Sequence, residues 1–197
     1  PALKGSLDFD SKLQFTYLPK EDVINLKVDH LNSDFFLYGE PTSIKIKNLQ
    51  GDRVSGFSLD TLDFSQVANN IHIKGNLGTK TSIKGNINLE DLSALMPKLK
   101  GSFKGNLAVS GALDKPLIRV RGNSDRISYD DFYVSKLVID SSYDLDKHKF
   151  ANTVITDLIR IKKGIKAYRK CTIDISGTLN NHQLTLSCGS ATGSYLG

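Results

Sequence analysis

The sequence contains no tryptophan, one methionine (Met96), two cysteines and four histidines. His30, His72, His148 and His182 are scattered, without a second histidine or cysteine pair at ligand spacing, so no metal is expected. Nucleophile elbows, P-loops and dinucleotide fingerprints are missing as well. The neighbouring aspartates, Asp130-Asp131 and Asp144 with Asp146, fall at expected turns, where aspartate is ordinary, and not in a recognisable pocket. These absences argue against an enzyme and against a cofactor. No apolar run approaches the roughly 20 residues of a membrane-crossing helix, and the longest, Phe35 to Tyr38, is strand-sized. Nor does any stretch of these residues read as a signal peptide. With no methionine at position 1 and no tail after Gly197, residues 1–197 are expected to be one repetitive β-rich fragment of a longer chain.

Net charge is +5, from 26 basic and 21 acidic residues. Lys45, Lys47, Lys74, Lys84 and Lys104 spread that charge over strand faces, the pattern of a solvated outer surface. The densest basic run, Arg160 to Lys170, has a docking reading and a bland one. It could meet an anionic headgroup, or it is a solvated loop or a lysine-blunted edge strand, which we prefer. Only Tyr168 interleaves a ring with these charges, so no nucleic-acid partner is expected.

What the sequence has in abundance is alternation. Phe103, Gly105, Leu107, Val109 and Gly111 share one parity, and Lys104, Asn106, Ala108 and Ser110 the other. A period of two is a strand with one apolar face. Ile118 and Val120 alternate with Arg119 and Arg121 in the next strand, after a break at Ala112 to Pro116. Asn123 to Asp125 reads as a turn, and Lys136 to Asp140 as a further strand. A repeat, Ile73-Lys-Gly-Asn76, Ile83-Lys-Gly-Asn86 and Phe103-Lys-Gly-Asn106, puts a glycine on the apolar parity each time, leaving room for a sheet to curl. Near the N-terminus, Leu3 to Phe9 and Leu13 to Tyr17 read as a hairpin turned at Asp10-Ser11-Lys12. Asn88 to Pro97 is the one short helix candidate, stopped by Pro97. Residues 151–163 fit strand or helix, with a lean to strand for Leu158 to Ile161.

These signals predict about 15 to 17 short antiparallel strands and no crossover helices. So many strands with one apolar face each must fold over on themselves. A closed barrel, a two-sheet sandwich and a U-shaped gutter all satisfy that, and periodicity does not separate them. The inward positions chosen are Leu7, Phe15, Leu26, Ile73, Ile87, Leu107, Val109, Ile118, Val120 and Ile139. Cys171 and Cys188 are disulfide candidates on the last hairpin. They lie opposite each other if the turn is Leu179-Asn180, and are offset too far to bond if it is Asn180-Asn181.

The run L-x-x-L-x-P-x-L-x-G (Leu92 to Gly101) followed by G-x-L-x-V-S-G-x-L-x-x-P (Gly105 to Pro116) resembles the repeats of the TamB family, translocation and assembly module subunits of the AsmA-like superfamily. Ser176-Gly177-Thr178 with His182-Gln183-Leu184 resembles another element of that family. The resemblance spans roughly residues 70 to 190; residues 1 to 70 share the texture without a matching motif. It implies an all-β chain, a long curled antiparallel sheet forming a U-shaped β-taco gutter with an apolar interior. It also implies a periplasmic location, a parent protein anchored in the inner membrane, and a TamA-like outer-membrane barrel as partner. The expected function is a non-enzymatic conduit for phospholipid acyl chains between inner and outer membranes, supporting outer-membrane and autotransporter protein assembly. The alternative is a scaffold or chaperone whose strand edges pair with nascent outer-membrane strands.

Overall fold

The computed structural model describes residues 8–18, 23–52, 54–161 and 166–189, with side chains for 10–17, 24–52, 54–161 and 167–189. The chain forms β1 (Asp8–Leu18), β2 (Val23–Leu37), β3 (Glu40–Asp52), β4 (Gly56–Gln66), β5 (Asn69–Leu77), β6 (Thr81–Leu89), α1 (Leu92–Leu95), β7 (Leu99–Gly101), β8 (Phe103–Ala112), β9 (Lys115–Tyr129), β10 (Phe132–Asp144), β11 (Lys149–Ile161), β12 (Lys166–Thr178) and β13 (His182–Gly189). All 13 strands belong to one antiparallel sheet in chain order, with the short β7 paired to β9 beside β8. Every connection is local because no helix carries the chain across the sheet. The described strands leave β1 and β13 as the two edges, so the sheet does not close into a barrel. No second sheet is present among the described residues, so it is not a sandwich either.

Most of the strands are longer than expected, and there are fewer of them. The cause is a pair of features that alternation hides. In β2, β3 and β4 the facing residues Asp29, Asn48 and Asp60 fall out of the pairing, while β1 and β5 have no counterpart to them. The same happens at Asp125, Lys136, Asp157 and Lys170 across β9 to β12, with β8 and β13 lacking the extra residue. Each is a bulge position, and the bulges of neighbouring strands stand side by side as columns. Asn48, Lys136 and Lys170 carry positive φ of 48°, 51° and 48°. A bulge shifts side-chain parity by one, so apolar residues three apart, such as Val28 and Leu31 or Leu59 and Leu62, stay on one face.

Several expectations are corrected on this basis. Asn123 to Asp125 is not a turn but part of the long β9, and its bulge supplies the parity break. Residues 149–161 are strand; Val154, Ile155, Leu158 and Ile159 mimic helical spacing because the bulge at Asp157 re-phases the strand. Asp10-Ser11-Lys12 does not turn either. β1 runs straight through it, pairing with Asn32, Leu31 and His30, and the three residues include neither the glycine nor the proline that would bend the chain. Of the basic run, Lys162 and Lys163 lie outside the described residues, Lys166 stands on β12 beyond the last pairing with β13, and Arg169 is the first β12 residue that β13 covers, opposite Gly189.

The helix expected over 88–97 shrinks to one turn, because Asn88 and Leu89 extend β6. Asp91 caps it by accepting from the Ser93 N–H at 2.9 Å. Two fully buried amides fix its place. Gln66 Nε2 donates to Leu37 O and Ala94 O, both at 3.1 Å. Asn69 Nδ2 donates to Asp91 O at 2.6 Å, and its Oδ1 accepts from Asp91 N–H at 2.9 Å. Gln66 and Asn69 share the parity of Phe64 and Ile71, so α1 is held against the apolar face at the strand ends, with Leu92 and Ala94 buried. Removing the paired amide strands two backbone groups of Asp91. Asn69→Ala is expected to lower stability by about 2 kcal/mol in urea unfolding monitored by circular dichroism.

Candidate functional site

The register lines up side chains across the whole sheet. One row reads Leu31, Ile46, Leu62, Ile73, Gly85, Leu107, Val120, Ser141, Asn152, Ile175 and Leu184, each directly opposite the next. A parallel row carries Ile44, Phe64, Ile71, Ile87, Gly105, Gly122, Ile139, Val154, Ile173 and Leu186. A third runs through Leu49, Leu59, Gly75, Ile83, Val109, Ile118, Tyr143 and Phe150. At strands roughly 4.8 Å apart, these rows extend about 50 Å across the sheet.

The chosen inward residues fall on this face. Leu107 stands opposite Val120, Val109 opposite Ile118, Ile139 opposite Gly122, and Ile87 opposite Gly105; Leu26 faces Phe15 at the β1 edge. Leu7 lies outside the described residues. Ile46, Leu62, Ile173 and Ile175 belong to the same face and were missed. The clue to them was apolar spacing of three in place of two, as between Ile46 and Leu49 across Asn48.

The floor of this face is thin where glycines line up. A Cβ on Gly122 would lie 2.2 Å from Phe103 Cζ and 2.7 Å from Lys104 O, so the Phe103 ring lies directly over the backbone of β9. A Cβ on Gly85 would sit 3.3 Å from Leu107 Cβ, and Ile73 crowds it from the other side at 3.2 Å. Aromatic cover over glycine keeps such strands paired while they bend.

Little of the face is enclosed. The buried apolar side chains among the described residues are Val28, Leu92, Ala94, Val134, Leu137 and Cys171. Most of the row residues named above are only half-buried. Exposure peaks at the two edges, with Phe15 at 68% on β1, and Leu184 at 62% and Leu186 at 60% on β13. The last hairpin is clamped by a disulfide between Cys171 and Cys188, whose Cα atoms are 4.1 Å apart. It uses the register in which Leu179-Asn180 forms the turn, with Thr178 N–H donating to Asn181 O at 2.7 Å.

The opposite face is mostly polar, apart from the exposed pair Val138 and Ile155, and carries its charges in cross-strand pairs. Arg119 grips Asp140 through two bonds of 3.0 and 2.9 Å and Arg121 adds a third at 2.9 Å, holding the Asp140 carboxyl below its ordinary range. The bulge columns are charged as well. Lys136 bonds Asp125 at 2.6 Å, and Asn48 bonds Asp60 at 2.7 Å. Lys27 and Lys12 hold Asp29 down to about 2. The charged columns thus mark the solvent side of the sheet. Among the described residues no group of His, Cys, Asp and Glu could hold a metal, and no helix is long and apolar enough to cross a membrane.

Comparison with curated proteins gave no match, and neither did comparison with solved structures. A family model does match, over residues 2–195, well beyond the stretch that carries the motif resemblance. The family is described as TamB, N-terminal domain. The residues before 70 that lack a recognisable motif are therefore part of the same unit, and the chain belongs to the TamB N-terminal domain family.

Proposed function

We propose that the apolar face is the lining of a gutter that carries phospholipid acyl chains between the inner and outer membranes. The observation that supports it best is an apolar face about 50 Å long that, among the described residues, only the single turn of α1 covers, at the strand ends. Water against such a surface is unfavourable by about 25 cal/mol per Å², and acyl chains relieve that cost along the whole row. The chain does this without chemistry of its own. Membership of the TamB family supports a role in outer-membrane assembly and lipid transport. On this reading the chain works in the periplasm, its parent protein is anchored in the inner membrane, and a TamA-like outer-membrane barrel is its partner. Autotransporter and other outer-membrane protein assembly then depends on the lipid it delivers.

A second reading takes its support from the edge strand β13, whose outer backbone is unpaired among the described strands and whose Leu184 and Leu186 are exposed. Such an edge can template a client strand. Mass spectrometry of lipid extracted from the purified chain separates the two. The conduit reading expects diacyl phospholipid to co-purify. Lipid-free protein that also fails to take up a fluorescent phospholipid, while crosslinking to client strands along β13, would replace it with the scaffold.

A further inference from the structure

The central row of the apolar face is interrupted at one place. Between Val120 and Ile175 stand Ser141 on β10 and Asn152 on β11, directly opposite each other, the row's only polar side chains from β2 to β13. Both are half-buried. The Ser141 hydroxyl donates to Asn152 Oδ1, which turns the amide nitrogen away from the pair. That nitrogen has no hydrogen-bond partner among the described residues. Tyr143, two residues along β10 on the same face, presents a phenol that is likewise unpaired. The flanking residues Ile118, Ile139 and Val154 are apolar, and no charged side chain shares this part of the face.

We propose that Ser141, Tyr143 and Asn152 form a polar docking point for the ester carbonyls of a glycerophospholipid whose chains occupy the track. This rests on the conduit reading given above. The site offers donors and no cation. An amide N–H covered by acyl chains and left unpaired is costly, so the occupant must bring an acceptor to it. A phosphodiester carries a full negative charge and would be desolvated here without a counter-ion, whereas an ester carbonyl is neutral and accepts the same bond. The point would fix where along the row the chains end and the glycerol backbone begins. It would also select ester lipids over plain hydrocarbon.

The test measures binding of three probes to the 197-residue chain: dioctanoyl phosphatidylethanolamine, its dioctyl ether analogue, and diphenylhexatriene. The wild-type chain is expected to prefer the ester over the ether lipid. Asn152→Leu should lose about five- to tenfold in ester-lipid affinity, and Tyr143→Phe about threefold, with ether lipid and hydrocarbon unchanged. Equal wild-type affinity for ester and ether lipid would overturn the proposal, and this comparison needs no variant to fold. Equal losses for both lipids in Asn152→Leu would assign the contact to the phosphate and also overturn it. If the wild-type chain binds none of the three probes, the conduit reading itself fails.

Discussion

Leu107→Asp is expected to keep its β-sheet circular dichroism and its yield while losing phospholipid binding by about thirtyfold, from roughly 2 kcal/mol for a carboxylate set against acyl chains. Leu107 lies mid-row, between Gly85 and Val120, and is only half-buried. In an enclosed core the same carboxylate would have no route to water and the fold would be lost. On an unroofed face it reaches solvent, so the fold survives and the apolar path is cut. Val120→Arg should behave the same way, and Lys104→Ser on the polar face should bind lipid as the wild type does. A folded Leu107→Asp protein with full lipid uptake would remove the conduit reading. Unfolding by both charged variants would mean that the face is closed off in the native chain.

The second large effect concerns the backbone. Gly75 has φ of +139°, and a Cβ there would lie 2.0 Å from Ser82 O and 2.7 Å from Ile83 Cα. Neither atom belongs to a flexible side chain that could swing aside. Gly75 also faces Leu59, next to the register shift that ends the first bulge column. Gly75→Ala is therefore expected to cost about 3 kcal/mol or more, as strained backbone and steric overlap combine. Its urea midpoint should fall well below that of Asn69→Ala. A midpoint equal to wild type would show that β5 and β6 do not approach so closely.

The two effects also mark what the sequence made legible. From β5 to β8 the register runs without a bulge, and there simple alternation placed Ile73, Ile87, Leu107 and Val109 on one face. Ile118 and Val120 read correctly for the same reason, since they precede Asp125 on β9. Where a bulge intervenes, alternation reports a strand end that is not there. Val28 and Leu31 then look like parts of two strands, and Asn123 to Asp125 looks like a turn. Nothing in a run such as Lys47-Asn48-Leu49 announces a bulge, because its positive φ falls on a residue common in every kind of turn. The polar interruption at Ser141 and Asn152 was hidden for a further reason. Each residue is unremarkable in its own strand, and only the pairing of β10 with β11 makes them neighbours.

The bulge columns carry a consequence for how such a chain can change over generations. Deleting Asn48 alone would exchange inside for outside along half of β3 while β2 and β4 kept their old phase. Tolerable variation is therefore collective: Asp29, Asn48 and Asp60 must be lost or kept together, as must Asp125, Lys136, Asp157 and Lys170. Heredity acts on one residue at a time, but this sheet accepts edits by the column. Sequences descended from it should drift freely in composition while the lengths of adjacent hairpins stay locked in step.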